Sequence, residues 1–269
     1  MSPPIDCGTS YSCVSQALSR AQPATVTAGG VVLRLDSVSR STAGVTATVA
    51  GSGSEPAPTG SCSFQIGALQ TVLADAQSMG ALSPTSFLAA DSCQGSLFAS
   101  LAPMRATLDA ARSRAPAAAG AADCGVSLPC LVRGLQQHAP AQALEVTMLP
   151  LFGLNVTAVS YLRTSEFDAN DVTVYMRTLQ TDVTFDPKMV QRMQAKGMSS
   201  NDIAAAQAKA QASARATDGR DGTCRYKIAV LDAVLRRWYN GSFSTDDYAK
   251  ADKCQGSLFE TSQSGQATF

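Results

Sequence analysis

The chain has 269 residues, 45% apolar and 16% charged, with 21 basic and 21 acidic side chains, eight cysteines and one histidine. That length can bury one large core or two ordinary ones. A net charge of zero, with charged residues well below the roughly 25% usual in soluble proteins, argues against a nucleic-acid binder held by counterion release and against an acidic disordered tail.

A single histidine removes most His-based metal sites and most Ser/His/Asp or Cys/His catalytic arrangements. At the start, Met1-Ser2-Pro3-Pro4 runs into Asp6 and Cys7 with neither a basic start nor an apolar run. This reads as a cytosolic chain or as a mature chain whose leader has been removed, and the cysteines favour the second.

Asp6-Cys7-Gly8-Thr9-Ser10-Tyr11-Ser12-Cys13 recurs as Asp123-Cys124-Gly125-Val126-Ser127-Leu128-Pro129-Cys130. Asp91-Ser92-Cys93-Gln94-Gly95-Ser96-Leu97-Phe98 recurs as Asp252-Lys253-Cys254-Gln255-Gly256-Ser257-Leu258-Phe259, with six consecutive identities from the cysteine onward. Cys62 matches Cys224 between these anchors. The expected fold class is therefore α+β: a tandem duplication of a disulfide-clipped module made of a short helix, a β-hairpin and a helical hairpin. The first module spans 2–114, a small-residue linker 115–122, and the second module 123–269. Cys130 and Cys224 stand 94 positions apart against 49 for Cys13 and Cys62, so the second module carries 45 extra residues, mostly a polar insertion at about 186–222.

In chain order, residues 13–21 carry Val14, Ala17 and Leu18 at helical spacing and stop before Pro23. Residues 26–35 and 45–49 predict a hairpin about the turn at 39–44; in the second module the matching strands are 144–148, 155–163 and 172–185. Next come two apolar stripes at helical spacing, Phe64, Ile66, Leu69, Val72, Leu73 and Ala76, then Tyr226, Ile228, Leu231, Val234, Leu235 and Trp238. Each ends in a glycine-bearing turn, and a new helix is expected from Ser83 or Ser244 as N-cap, with Leu82 against Phe87 and Phe243 against Tyr248 as staples. The same punctuation recurs within the insertion at Gly197-Met198-Ser199-Ser200-Asn201-Asp202-Ile203. This helix, glycine turn and serine-capped helix resemble the short helical-hairpin family called SHOCT over about 25 residues each time. The resemblance implies an oligomerising role and carries no active-site residues.

Cys7, Cys13, Cys62, Cys93, Cys124, Cys130, Cys224 and Cys254 are assigned to structural disulfides, because Cys-x5-Cys is a poor match to zinc knuckles and no histidine completes a mixed set. Pairs 7/13, 62/93, 124/130 and 224/254 are preferred among the three connectivities open to each copy, since each would clip one local unit. The compartment is then periplasmic, cell-surface or extracellular. The apolar stretch 144–162 suits sheet better than a membrane helix, so no membrane span is expected.

Sites of chemistry are few. His138 reads as a helix-end residue with Ala21 at its place in the first copy, and Ser10 and Ser127 as turn residues with no neighbouring base. Asp218-Gly219-Arg220-Asp221-Gly222 lacks the order of an EF-hand loop. Cys-Gln-Gly-Ser-Leu-Phe reads as structural, and Arg236-Arg237-Trp238-Tyr239 as the best interface candidate. The expectation is a non-catalytic envelope or secreted protein with no catalytic residue, metal or other cofactor. It would act as an assembly or interaction subunit of an extracytoplasmic bacterial complex. Other protein subunits, a second copy of the chain among them, would be its partners, and nucleic acid would not. A carrier of an apolar ligand and a periplasmic inhibitor or immunity protein are the alternatives.

Overall fold

The protein is described from a computed structural model covering residues 3–49, 57–117 and 120–260. Residue 2, part of the 115–122 linker and residues 261–269 lie outside the described residues. It is a mixed α+β fold with two six-stranded sheets, one in each of two compact units. The first unit comprises Met1–Ala102 with Trp238–Gly241, the second Pro103–Arg237 with Ser242–Phe269.

In the first unit, β1 (Ile5–Asp6) leads through α1 (Tyr11–Ser19) to a parallel partner, β2 (Ala24–Ala28). An antiparallel meander follows through β3 (Val31–Val38), β4 (Thr42–Val49) and β5 (Thr59–Gln65). Then α2 (Ile66–Met79), a 3-10 segment (Pro84–Ala89) and β6 (Ser92–Gln94) complete the sheet against β5. The sequence dictates most of this locally. The Ser10 hydroxyl accepts from the Cys13 amide at 3.3 Å to start α1, and Val14, Ala17 and Leu18 are its buried stripe. Along β4, Ala43, Val45 and Ala47 are buried and alternate with partly exposed residues, so one sheet face carries α1 and α2, which also pack on each other.

The second unit repeats this order. β7 (Ala122–Asp123), α4 (Leu128–Gln136), β8 (Ala141–Leu151), β9 (Leu154–Ser165), β10 (Asp171–Phe185), β11 (Asp221–Lys227), α7 (Ile228–Tyr239), a 3-10 segment (Thr245–Lys250) and β12 (Lys253–Gln255) occupy the corresponding places; α5 and α6 are placed below. Both sheets run in sequence order from edge to edge. β8, β9 and β10 are longer than their counterparts, and β10 outruns β11: residues 171–177 pair with β11, while β9 stays paired as far as Phe185.

Beyond Arg177 the outer edge of β10 is covered by α6 (Ser200–Arg215), the second helix of the insertion, which packs on the first, α5 (Pro187–Ala195). Gln211 on α6 takes the place of a strand: its side-chain oxygen accepts from the Val183 amide at 2.6 Å and its nitrogen donates to the Thr181 carbonyl at 2.8 Å. Side-chain amides thus satisfy backbone groups that would otherwise form an open sheet edge. Gln211→Ala is expected to cost about 1 kcal/mol and to speed hydrogen exchange of the Val183 amide while that of Val159, in the sheet interior, is unchanged.

Several elements differ from expectation. Residues 26–35 are two strands, because Gly29 and Gly30 take φ of 61° and 77° and form a two-residue hairpin turn. Phe64 and Tyr226 end strands β5 and β11 instead of beginning helices; both are buried, and a stripe that passes from strand to helix keeps its apolar face. The segments after Ser83 and Ser244 are six-residue 3-10 turns, so each module ends in strand, helix, 3-10 turn and strand. The insertion does form a two-helix hairpin, and Ser199 with Asp202 makes a reciprocal capping box at the start of α6. Helix α3 (Leu101–Arg112) was not anticipated at all; it buries Leu101, Met104, Leu108 and Ala111 at helical spacing.

Candidate functional site

The cysteines form four bridges, Cys7–Cys13, Cys62–Cys93, Cys124–Cys130 and Cys224–Cys254, and none of the cysteines is free. Two designs recur. The short bridges close a loop just before α1 or α4, with Cα atoms 5.5 Å apart. The long ones join directly opposed residues of β5 and β6, or β11 and β12, with Cα atoms 4.1 Å apart.

Every position of Cys-Gln-Gly-Ser-Leu-Phe but one has a structural task. The glutamines pair opposite Ser61 and Thr223, next to the bridge. Gly95 and Gly256 have φ of 104° and 115° and lie where a Cβ would meet the carbonyl oxygen of Thr59 or Asp221 at 2.6 Å. The Ser96 hydroxyl accepts from the Thr59 amide, and the Ser257 hydroxyl from the Asp221 amide. Phe98 and Phe259 lay their rings over Gly60 and Gly222, which have no room for a side chain. Those two glycines escaped the sequence comparison, although each stands two residues before its cysteine, and the ring-on-glycine contact is what their spacing encodes. The Leu97 and Leu258 side chains have no task that the structure explains.

In Arg236-Arg237-Trp238-Tyr239 the aromatic pair turns inward while the two arginine side chains stay partly exposed. Trp238 and Tyr239 retain 7% and 4% of their surface. Arg236 donates to Asp232 at 2.7 Å, and Arg237 pairs with Asp247, a fully buried carboxylate that Lys250 also reaches at 2.9 Å. A buried carboxylate needs such partners, and Asp247 lies ten residues on from Arg237, across a turn.

His138 has φ of 53°, as does Ala21 at the equivalent helix end, and its ring stacks on Phe167 at 5.7 Å. Ser10 and Ser127 are N-caps, accepting from the Cys13 and Cys130 amides. Both carboxylates of the 218–222 loop are engaged: Asp218 pairs with Arg114 at 3.4 Å, and Asp221 accepts from the Tyr175 hydroxyl at 2.9 Å. Burial pushes the Asp218 carboxyl above its ordinary range. Among the described residues no group of three or more histidine, cysteine or acidic side chains is placed to hold a metal ion.

Glu145 on β8 is the most perturbed carboxylate. It keeps 7% of its surface, accepts a hydrogen bond from the Thr147 hydroxyl at 2.5 Å, and burial pushes its pKa up to about 7. Burial raises the Tyr248 hydroxyl, on which Glu145, Tyr226 and Asp247 also act, and raises Tyr226 to about 12. A groove of about 450 Å³ between α5, α6 and β10 is lined by Val183, Val190, Ile203, Ala204, Gln207 and Ala208.

The far end of the second unit is different in character. There the β8–β9 turn presents Phe152 with 98% of its surface exposed, Met148 is 39% exposed, and α5 buries none of its residues. The sequence marks the insertion that carries α5 but not Phe152, since an apolar residue does not report its own exposure. No family model, curated protein or solved structure matches the chain.

Proposed function

We propose that the chain is a non-catalytic interaction or assembly subunit of an extracytoplasmic bacterial complex, built by duplication of one disulfide-clipped module. The observation that carries this reading is where the two units agree and where they differ. They share strand order, bridges, helix caps and the glycine-ring clip, all of which maintain a scaffold. What the second unit adds, a longer β8–β9–β10 arm and the α5–α6 hairpin, enlarges its surface. A shared reaction would require shared reactive groups, whereas His138 and Glu145 stand in the second unit opposite Ala21 and Ala28 by strand register and helix end.

Four disulfides, with no helix among the described residues long and apolar enough to cross a membrane, fit a secreted or periplasmic protein. Native mass spectrometry of the protein isolated from its own source tests the subunit reading. Associated chains at fixed stoichiometry are expected; a lone monomer would sink it. Loss of a measured hydrolytic activity on His138→Ala would replace this reading with a catalytic one.

A further inference from the structure

We infer that the far end of the second unit is a docking surface for an anionic phospholipid bilayer, with Phe152 as its inserting residue and α5 as its basic flank. The thirteen residues from Val146 to Ala158 carry no charge, and the β8–β9 hairpin they form projects Phe152 at its tip, 98% exposed. The backbone there is unusual for such a residue. Phe152 takes φ of 51° and Gly153 φ of 84°, a left-handed turn in which asparagine or aspartate is the relaxed choice for the first position. A bulky aromatic held in that conformation, in full contact with water, contributes nothing to the core and is costly to keep.

The cationic flank is fixed to this tip. The Asp186 amide donates to the Gly153 carbonyl at 2.8 Å, and Met189 on α5 sits against Gly153 so closely that a Cβ there would lie 2.7 Å from its sulfur. Along α5, Lys188, Arg192 and Lys196 recur every fourth residue, which puts them on one face at about 6 Å intervals. All three are exposed, and none has an ion-pair partner among the described residues. Met189, Val190 and Met193 remain half-exposed beside them. In a protein of zero net charge, an uncharged apolar apex beside unpaired cations matches the layering of a bilayer surface. Anionic headgroups meet the lysines and arginine while the ring and thioethers enter the acyl boundary.

The inference goes beyond the subunit reading and can fail separately from it. The disulfide-intact full chain is mixed with vesicles of phosphatidylcholine alone and with vesicles containing about one-third phosphatidylglycerol, and bound protein is measured by co-sedimentation. Binding to the anionic vesicles is expected, weakening as salt rises. Phe152→Ser should weaken it about tenfold or more, with an unchanged far-UV circular dichroism spectrum, since the ring packs on nothing. Lys188→Gln with Arg192→Gln should weaken it by about fivefold per charge at low salt. No binding to anionic vesicles, equal binding to neutral ones, or full binding by Phe152→Ser overturns the proposal. Co-purifying partner chains together with indifference to vesicles would remove the lipid surface and leave the subunit reading in place.

Discussion

Replacing Cys224 and Cys254 together by serine is expected to lower the stability of the second unit by about 4 kcal/mol, and replacing Cys124 and Cys130 together by about 2.5 kcal/mol. The ranking follows from loop length. The first bridge closes a separation of 30 residues and the second a separation of 6, so the first removes more freedom from the unfolded chain. The larger loss has a structural side too. The Cys224–Cys254 bridge holds β12 against β11, and from β12 follow Gly256, the Ser257 hydroxyl on the Asp221 amide and the Phe259 ring over Gly222. Urea melts of the two double variants, compared with wild type under non-reducing conditions, measure both losses. An equal loss in the two variants, or a larger one for the short bridge, would show that β12 is held by packing and not by its bridge.

The sequence made the scaffold legible because its signals are local or paired. The cysteine anchors, the Pro23 stop after α1 and the Ser10 and Ser127 caps each act within a few residues, and the repeat places every one of them twice. The strands of the second unit were legible for the same reason: runs of β-branched residues bounded by turn chemistry define 141–151, 154–165 and 171–185 within a few residues. Failures came where the deciding partner is distant. Phe64 and Tyr226 fit a helical stripe numerically, and only pairing with Ala43 or Val172 makes them strand residues. Helix α3 was hidden within a region read as module end and linker. It is held by Arg114 donating to the Leu179 carbonyl at 3.1 Å, 65 positions away.

The candidate surfaces show the same division. Arg236-Arg237-Trp238-Tyr239 has the composition of a binding hot spot, but composition does not report direction: Trp238 and Tyr239 are buried while the arginine side chains stay partly exposed. Phe152 falls between the expected strands 144–148 and 155–163, and nothing in the sequence marks it as exposed. Its tip position depends on the hairpin closing at Phe152 and Gly153, a closure set by two left-handed residues of which only the glycine advertises that conformation.

Glu145→Gln is expected to leave stability unchanged at pH 4 and to raise it by about 3 kcal/mol at pH 8. In the folded protein the Glu145 carboxyl titrates at about 7, against 4.5 when unperturbed. Below 4.5 it is protonated in both states and burial carries no charge penalty. Between 4.5 and 7 the unfolded chain ionises first, so the folded state holds the extra proton and stability falls as pH rises. Above 7 the folded protein carries a buried carboxylate whose nearest help is the Thr147 hydroxyl, and the whole penalty is present. Glutamine keeps the shape and can accept from Thr147 without ever ionising, so the difference between variant and wild type isolates this one group. Other carboxylates cancel from that difference. Asp171, held below its ordinary range by Lys227 and Arg225, loses its contribution only as pH falls. Urea melts of both proteins at pH 4, 6 and 8 give the profile, and a difference that stays flat from pH 4 to 8 would mean that Glu145 is solvated in the folded state. The first unit has Ala28 at the matching position by register, so this penalty belongs to the second unit. Glu145 lies on β8, the strand that leads into the turn at Phe152, and the second unit loses this stability as pH rises from 4.5 to 7.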